Sequence, residues 1–70
     1  MTVYLDRTDR PEWFAIDARH PAAIAFLRKH ISLFGSRRVN GKISLVIEAG
    51  RVDGFVEFCH KSGIETDLES

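Results

Sequence analysis

Few side chains in this chain are candidates for a nucleophile or an acid/base group with an orienting partner beside it. Cys59 is followed at once by His60, but adjacent residues on a helix diverge by about 100° and do not face each other. Cys59 instead shares one helical stripe with Val52, Phe55 and Val56, which favours a buried structural thiol over a reactive one. The pattern therefore predicts no catalytic residue and a protein that is not an enzyme.

The remaining candidate ligands do not form a recognisable metal or phosphate site. His20, His30 and His60 lack the close spacing of zinc ligands, and the chain has no CxxC. The glycines are isolated, so no glycine-rich phosphate loop is present. His20 precedes Pro21, a position typical of the entry to a helix. We therefore expect no metal and no cofactor.

Charge is the most informative chemical feature of the sequence. Ten basic and ten acidic side chains balance, which removes an overall attraction to nucleic acid or to an anionic membrane. The distribution is nevertheless uneven, because no acidic residue occurs between Ala18 and Ile47. This stretch contains the cations Arg19, Arg28, Lys29, Arg37, Arg38 and Lys42, and the acidic residues Glu48, Asp53, Glu57, Glu65, Asp67 and Glu69 follow it. The sequence therefore predicts a positively charged surface from the first of these segments and a negatively charged surface from the second.

Hydrophobic periodicity assigns the elements that would position these charges. Over residues 13–18 the side chains alternate between two faces, as in a strand. Apolar residues recur at helical spacing over 21–34, and Gly35 is predicted to end this helix. Asn40-Gly41 is a strong signal for a type I′ hairpin between strands at 36–39 and 42–48.

The second half of the chain repeats the pattern of a helix followed by a strand. The apolar stripe that includes Cys59 predicts a second helix, which Gly63 closes. From Ile64 to Glu69 apolar and acidic residues alternate, as expected for a last strand with one buried and one acidic face.

This order predicts one α+β domain with a ferredoxin-like βαββαβ layout over residues 12–70. It would be a two-layer sandwich of a four-stranded antiparallel sheet with two helices on one face. Residues 1–11 are interpreted as an N-terminal arm or a short extra strand. The predicted core is Phe14, Ile16, Ile24, Leu27, Ile31, Phe34, Ile43, Leu45, Ile47, Val52, Phe55, Val56, Cys59, Ile64 and Leu68.

The uncovered sheet face is the leading candidate site. Trp13 and Val46 remain outside the predicted core, and Trp is enriched among the residues that dominate binding energy at interfaces. The acidic rim around them is Asp17, Glu48, Glu65, Asp67 and Glu69. These residues predict a non-catalytic module that binds a protein partner, unless the arm at Val3-Tyr4-Leu5 folds over the same face and buries it.

Two alternatives use other surfaces. A nucleic-acid-associated regulator would bind through the basic hairpin and the first helix, with Arg28, Lys29, Arg37, Arg38 and Lys42. A homodimeric ligand-sensing domain would instead join the unlike edges of two sheets.

Several known families share the predicted layout. RNA-recognition domains stack bases on aromatic residues of the sheet, whereas here a single Trp13 among carboxylates disfavours that use. The chain resembles ACT-type ligand-sensing domains in its topology and in the segment from Phe55 to Ile64, where a helix leads into a strand. In size and uneven charge it resembles the small inhibitors of phages and mobile elements, anti-CRISPR proteins among them. That resemblance implies an acidic surface that occupies a basic groove on the target.

The compartment is inferred from what the sequence lacks. A single cysteine cannot form an intramolecular disulfide, and no apolar run is long enough for a signal peptide or a membrane span. We therefore expect a cytoplasmic protein with no membrane contact.

Overall fold

A computed structural model describes residues 1–68, which form an α+β domain of five strands and two α-helices. The elements are β1 (Thr2–Arg7), β2 (Trp13–Ala18), α1 (Pro21–Lys29), β3 (Gly35–Val39), β4 (Lys42–Glu48), α2 (Val52–Lys61) and β5 (Glu65–Leu68), with short 3₁₀ turns at Ile31–Leu33 and Ala49–Arg51. The strands form one open mixed sheet in the order β3-β4-β2-β1-β5.

The prediction of a four-stranded antiparallel ferredoxin-like sheet is wrong because β1 is a fifth strand within the sheet. A ferredoxin-like sheet would pair β2 directly with β5, but β1 lies between them. It runs antiparallel to β2 and parallel to β5. Val3 and Leu5 of β1 are fully buried, so this strand supplies part of the core. The apolar triplet at Val3-Tyr4-Leu5 is too short for periodicity alone to show that it belongs at the centre of a sheet.

Helix α1 begins as predicted and ends early. Pro21 occupies its first turn, and the His20 imidazole accepts a hydrogen bond from the Ala22 N–H at 3.1 Å, so His20 is the N-cap. The predicted helix over 21–34 stops at Lys29, and a 3₁₀ turn at Ile31–Leu33 leads to β3. His30, Ile31 and Ser32 are weaker helix formers than the alanines and leucine before them.

The hairpin and the second helix match the sequence pattern. Asn40 and Gly41 have φ of 50° and 81°, as a type I′ turn requires. Arg38 pairs with Ile43, and Val39 pairs with Lys42. Helix α2 is followed by Gly63 in the left-handed region, with φ of 76°.

The core lies between the helices and one face of the sheet. The registers place Val3 beside Ala18, Leu5 beside Ile16, and Phe14 beside Ile47 on this helix face. From the other side α2 contributes Val52, Phe55 and Cys59, and α1 contributes Ala23 and Leu27.

Three residues predicted to lie in the core are exposed. Ile43 is 67% exposed, Leu68 51% and Ile31 50%. Ile43 lies beside the hairpin turn, Leu68 belongs to an edge strand, and Ile31 lies in the 3₁₀ turn beyond α1. In their place β1 contributes Val3 and Leu5 to the core.

Candidate functional site

The face of the sheet opposite the helices is the candidate site, and we call it the open face. Strand pairing brings onto it alternate residues of all five strands. They are Thr2, Tyr4 and Asp6 of β1, Trp13, Ala15 and Asp17 of β2, Gly35, Arg37 and Val39 of β3, Lys42, Ser44, Val46 and Glu48 of β4, and Glu65 and Asp67 of β5.

The acidic rim lies on this face where the strand pattern predicts it. Asp17, Glu48, Glu65 and Asp67 are exposed open-face residues, while Glu69 lies outside the described residues. Among residues 1–68, Glu48, Glu65 and Asp67 form no salt bridge, and Asp17 is 3.6 Å from the Arg19 side chain. Three of these four carboxylates therefore have no cation within salt-bridge distance among the described residues.

Strand β1 adds two residues that the sequence pattern did not assign to the site. Tyr4 is in register with Asp17 on one side and with Asp67 on the other, so carboxylates flank the ring across three strands. Asp6 follows two residues later on the same face. The alternation of Val3 and Leu5 with Tyr4 and Asp6 was the available signal for both residues.

The Tyr4 ring already contacts a guanidinium group. The Cζ atom of Arg19 lies 4.8 Å from the centre of this ring, and the same side chain reaches Asp17. Cation–π contacts of this kind stabilise by about 0.5–1 kcal/mol at exposed sites. The pair therefore shows how an arginine fits between an aromatic ring and a carboxylate on this face.

Trp13 occupies the other end of the open face. The Arg37 guanidinium lies over its ring, with Cζ 5.2 Å from the ring centre. The indole Nε1 is buried and has no hydrogen-bond partner among residues 1–68. A cavity of about 240 Å³ adjoins the ring, and Arg37, Glu48 and Arg51 contribute to its wall. Trp13 is thus half-buried, with a polar atom left unsatisfied.

Val46 does not offer the contact surface that the sequence suggested. Its side chain is only 4% exposed, and Ala15 beside it is 9% exposed. A Cβ atom at Gly35 would lie 3.4 Å from Val46 Cγ2, so the backbone of β3 lies close to the Val46 side chain. Of the predicted apolar pair, only Trp13 remains partly accessible.

The arm does not fold over the open face, which was the alternative interpretation of residues 1–11. Strand β1 lies within the sheet, between β2 and β5. Its Tyr4 and Asp6 extend the candidate site.

The five cations proposed for nucleic acid are divided between two faces. Arg37 and Lys42 belong to the open face, whereas Arg38 pairs with Ile43 on the helix face. Arg28 and Lys29 lie in the last turn of α1, which packs on the helix face. The fold therefore does not bring these five side chains onto one surface.

Two of the residues considered for catalysis or metal binding, Cys59 and His30, are packed among apolar side chains. Cys59 is fully buried, and its burial raises the pKa of the thiol to about 11. The His30 ring contacts Phe26 and Phe58, with centres 4.9 Å apart in each case. Within residues 1–68, no three His, Cys, Asp or Glu side chains cluster as they would around a metal ion.

Comparison with other proteins leaves the site to be interpreted from its own geometry. The chain matches no protein-family model, no curated protein sequence and no solved structure. No helix within residues 1–68 is long and apolar enough to cross a membrane.

Proposed function

We propose that this chain is a non-catalytic protein-binding domain whose open face binds a basic surface on its partner. The observation that carries the proposal is the set of open-face carboxylates at Asp6, Asp17, Glu48, Glu65 and Asp67. Of these, Asp17 alone forms a salt bridge within residues 1–68. The five carboxylates outnumber the two cations of this face, Arg37 and Lys42. An excess of negative charge on one surface favours a partner of the opposite sign, because complementary potentials accelerate encounter and disfavour other partners.

Aromatic residues on the same face supply the anchoring contacts. Tyr4 and Trp13 each have an arginine over the ring, at 4.8 and 5.2 Å from the ring centre. A partner arginine could replace Arg19 on Tyr4, because the flanking Asp17 and Asp67 attract any cation that approaches. Tyr, Trp and Arg are also the residues most enriched among those that dominate binding energy.

The form of the domain is compatible with an inhibitor. A carboxylate-bearing sheet face presents negative charges on a rigid scaffold, and such a surface can occupy a basic groove that normally holds nucleic acid. The partner class we propose is therefore a protein with a basic, nucleic-acid-binding groove. Binding would weaken as salt rises, because both surfaces are charged and exposed.

The test uses two variants with the same change in net charge. Asp6→Lys/Asp17→Lys reverses charge at the centre of the open face, and Asp53→Lys/Glu57→Lys reverses it on α2. Each protein is used to capture partners from lysate of the native host, with and without nuclease treatment, and the affinity for the purified partner is then measured at two salt concentrations.

We expect wild type and the α2 variant to bind the same basic protein, and the open-face variant to lose at least tenfold in affinity. Unchanged binding by the open-face variant would refute the proposal, as would an equal loss in the α2 variant. Capture that disappears after nuclease treatment would instead favour nucleic acid as the ligand.

A further inference from the structure

The two edges of the sheet are unlike each other in charge. β3 pairs with β4 alone and β5 pairs with β1 alone among residues 1–68, so each has one edge without a neighbouring strand. β3 carries Arg37 and Arg38, whereas β5 carries Glu65 and Asp67. An unpaired strand edge is a template for another strand.

Charge on an edge strand usually prevents association between copies, because like edges repel. This protection holds here for β3 against β3 and for β5 against β5. It fails for β3 against β5, where the basic edge of one copy meets the acidic edge of another. None of the four charged residues forms a salt bridge within residues 1–68. Arg37 lies over the Trp13 ring and Arg38 donates a hydrogen bond to Gly41 O, so both arginines still lack a carboxylate partner there.

Strand direction also fits a contact between unlike edges. β3 is antiparallel to β4 and β4 to β2, and β5 is parallel to β1, which is antiparallel to β2. It follows that β3 and β5 run antiparallel within one sheet. A second copy placed beside the first, with its helices on the same side, therefore extends the sheet in antiparallel fashion.

The alternation of side chains then brings opposite charges together. Arg37, Glu65 and Asp67 all belong to the open face, so Arg37 can lie opposite Asp67 of the second copy. In that register Arg38 faces Thr66, and Ser36 faces Leu68, on the helix face.

We propose that copies of this chain associate edge to edge, with β5 of one copy docked on β3 of the next. Because the two edges differ, the contact cannot close a two-fold dimer, and each added copy leaves one basic and one acidic edge free. The product is an open head-to-tail assembly with a continuous sheet. Glu65 and Asp67 also belong to the open face, but this inference does not rest on the proposed function, because the edge contact requires only their position on β5.

The experiment follows the mass of the full chain against concentration by sedimentation velocity, at low and high salt. One variant, Arg37→Glu/Arg38→Glu, has two acidic edges, and a second, Glu65→Lys/Asp67→Lys, has two basic edges. The third combines all four substitutions, which exchanges the signs of the edges. Circular dichroism checks that each variant is folded.

At low salt we expect the mass of wild type to rise with concentration beyond twice the 7.9 kDa of one chain, and high salt to reverse this. Each single-edge variant remains monomeric alone, a mixture of the two assembles, and the combined variant assembles like wild type. The combined variant and the mixture also control for a substitution that merely perturbs folding.

Three results would overturn the proposal. They are a wild type that stays monomeric over the whole concentration range, a wild type that stops at a dimer, and a mixture of folded variants that remains monomeric. None of these would affect the proposed function, which is tested with Asp6 and Asp17.

Discussion

The two faces of the sheet are built from alternate residues of the same strands, yet they differ in almost every physical property. On the helix face Val3 and Leu5 are fully buried against Phe55, Cys59 and other core residues. On the open face the neighbouring Tyr4 contacts the Arg19 guanidinium. Asp6 forms no salt bridge within residues 1–68. Alternation along one strand thus separates the buried core residues from the polar residues of the open face.

The largest expected effect contrasts two leucines that are neighbours across β1 and β5. Leu5 is fully buried and its partner Leu68 is 51% exposed. Leu5→Ala should lower the free energy of unfolding by about 2–5 kcal/mol, because it leaves a cavity in the core. Leu68→Ala should cost less than about 1 kcal/mol.

Urea denaturation of both variants measures this contrast. Equal losses would show that β1 contributes no more to the core than the edge strand does, and the distinction between the buried centre and the exposed edge of the helix face would fail. For a domain of this size a loss at the upper end of the range would unfold most of the protein.

The pH dependence of stability provides a second test of how well the helix face is sealed. Burial raises the pKa of Cys59 from 9.0 to about 11. Between these values the unfolded chain loses the thiol proton and the folded chain keeps it. The contribution of Cys59 to stability is therefore fully present below pH 9 and falls as pH rises towards 11, by about 1.4 kcal/mol per pH unit.

The control for this measurement is Cys59→Ala, which lacks the titrating group. Urea denaturation at a series of alkaline pH values should show a steeper decline for wild type than for the variant. If the two slopes coincide, water reaches the thiol and the helix face is less well closed than its burial indicates.

The smallest expected effect separates the faces at β3, where consecutive arginines point in opposite directions. Arg37 covers Trp13 on the open face, whereas Arg38 lies on the helix face beside Ile43. Arg37→Ala should shift the fluorescence of the single tryptophan to longer wavelength and cost about 0.5–1 kcal/mol, since it removes a cation–π contact. Arg38→Ala should leave the emission unchanged. The same shift in both variants would contradict the assignment of faces.

Local signals in the sequence were sufficient for several elements. Asn40-Gly41 predicted the hairpin and its register because both positions must tolerate a positive φ. Pro21 and Gly63 marked the start of α1 and the end of α2 because each has a backbone preference suited to that position. Alternation in β2 and β4 also assigned Trp13 and Glu48 to the open face.

The site was predicted less completely than the elements. The acidic rim followed from strand alternation, but Tyr4 and Asp6 were missed because β1 was not recognised as a central strand. Val46 was predicted to be accessible, although the close approach of Gly35 buries it. Gly35 is the strand partner of Val46 within the β3–β4 hairpin, and alternation along β4 does not show how closely the two strands approach.

By itself the sequence determined the type of each strongly patterned element, the turn between β3 and β4, and the separation of basic from acidic segments. These features depend on residues near one another in the chain. Tertiary structure alone decided that β1 is inserted between β2 and β5, which makes the sheet five-stranded and mixed. The physical reason is that a six-residue strand has no local preference for a neighbour. Its place depends on the burial of Val3 and Leu5 in a core cluster to which both helices contribute.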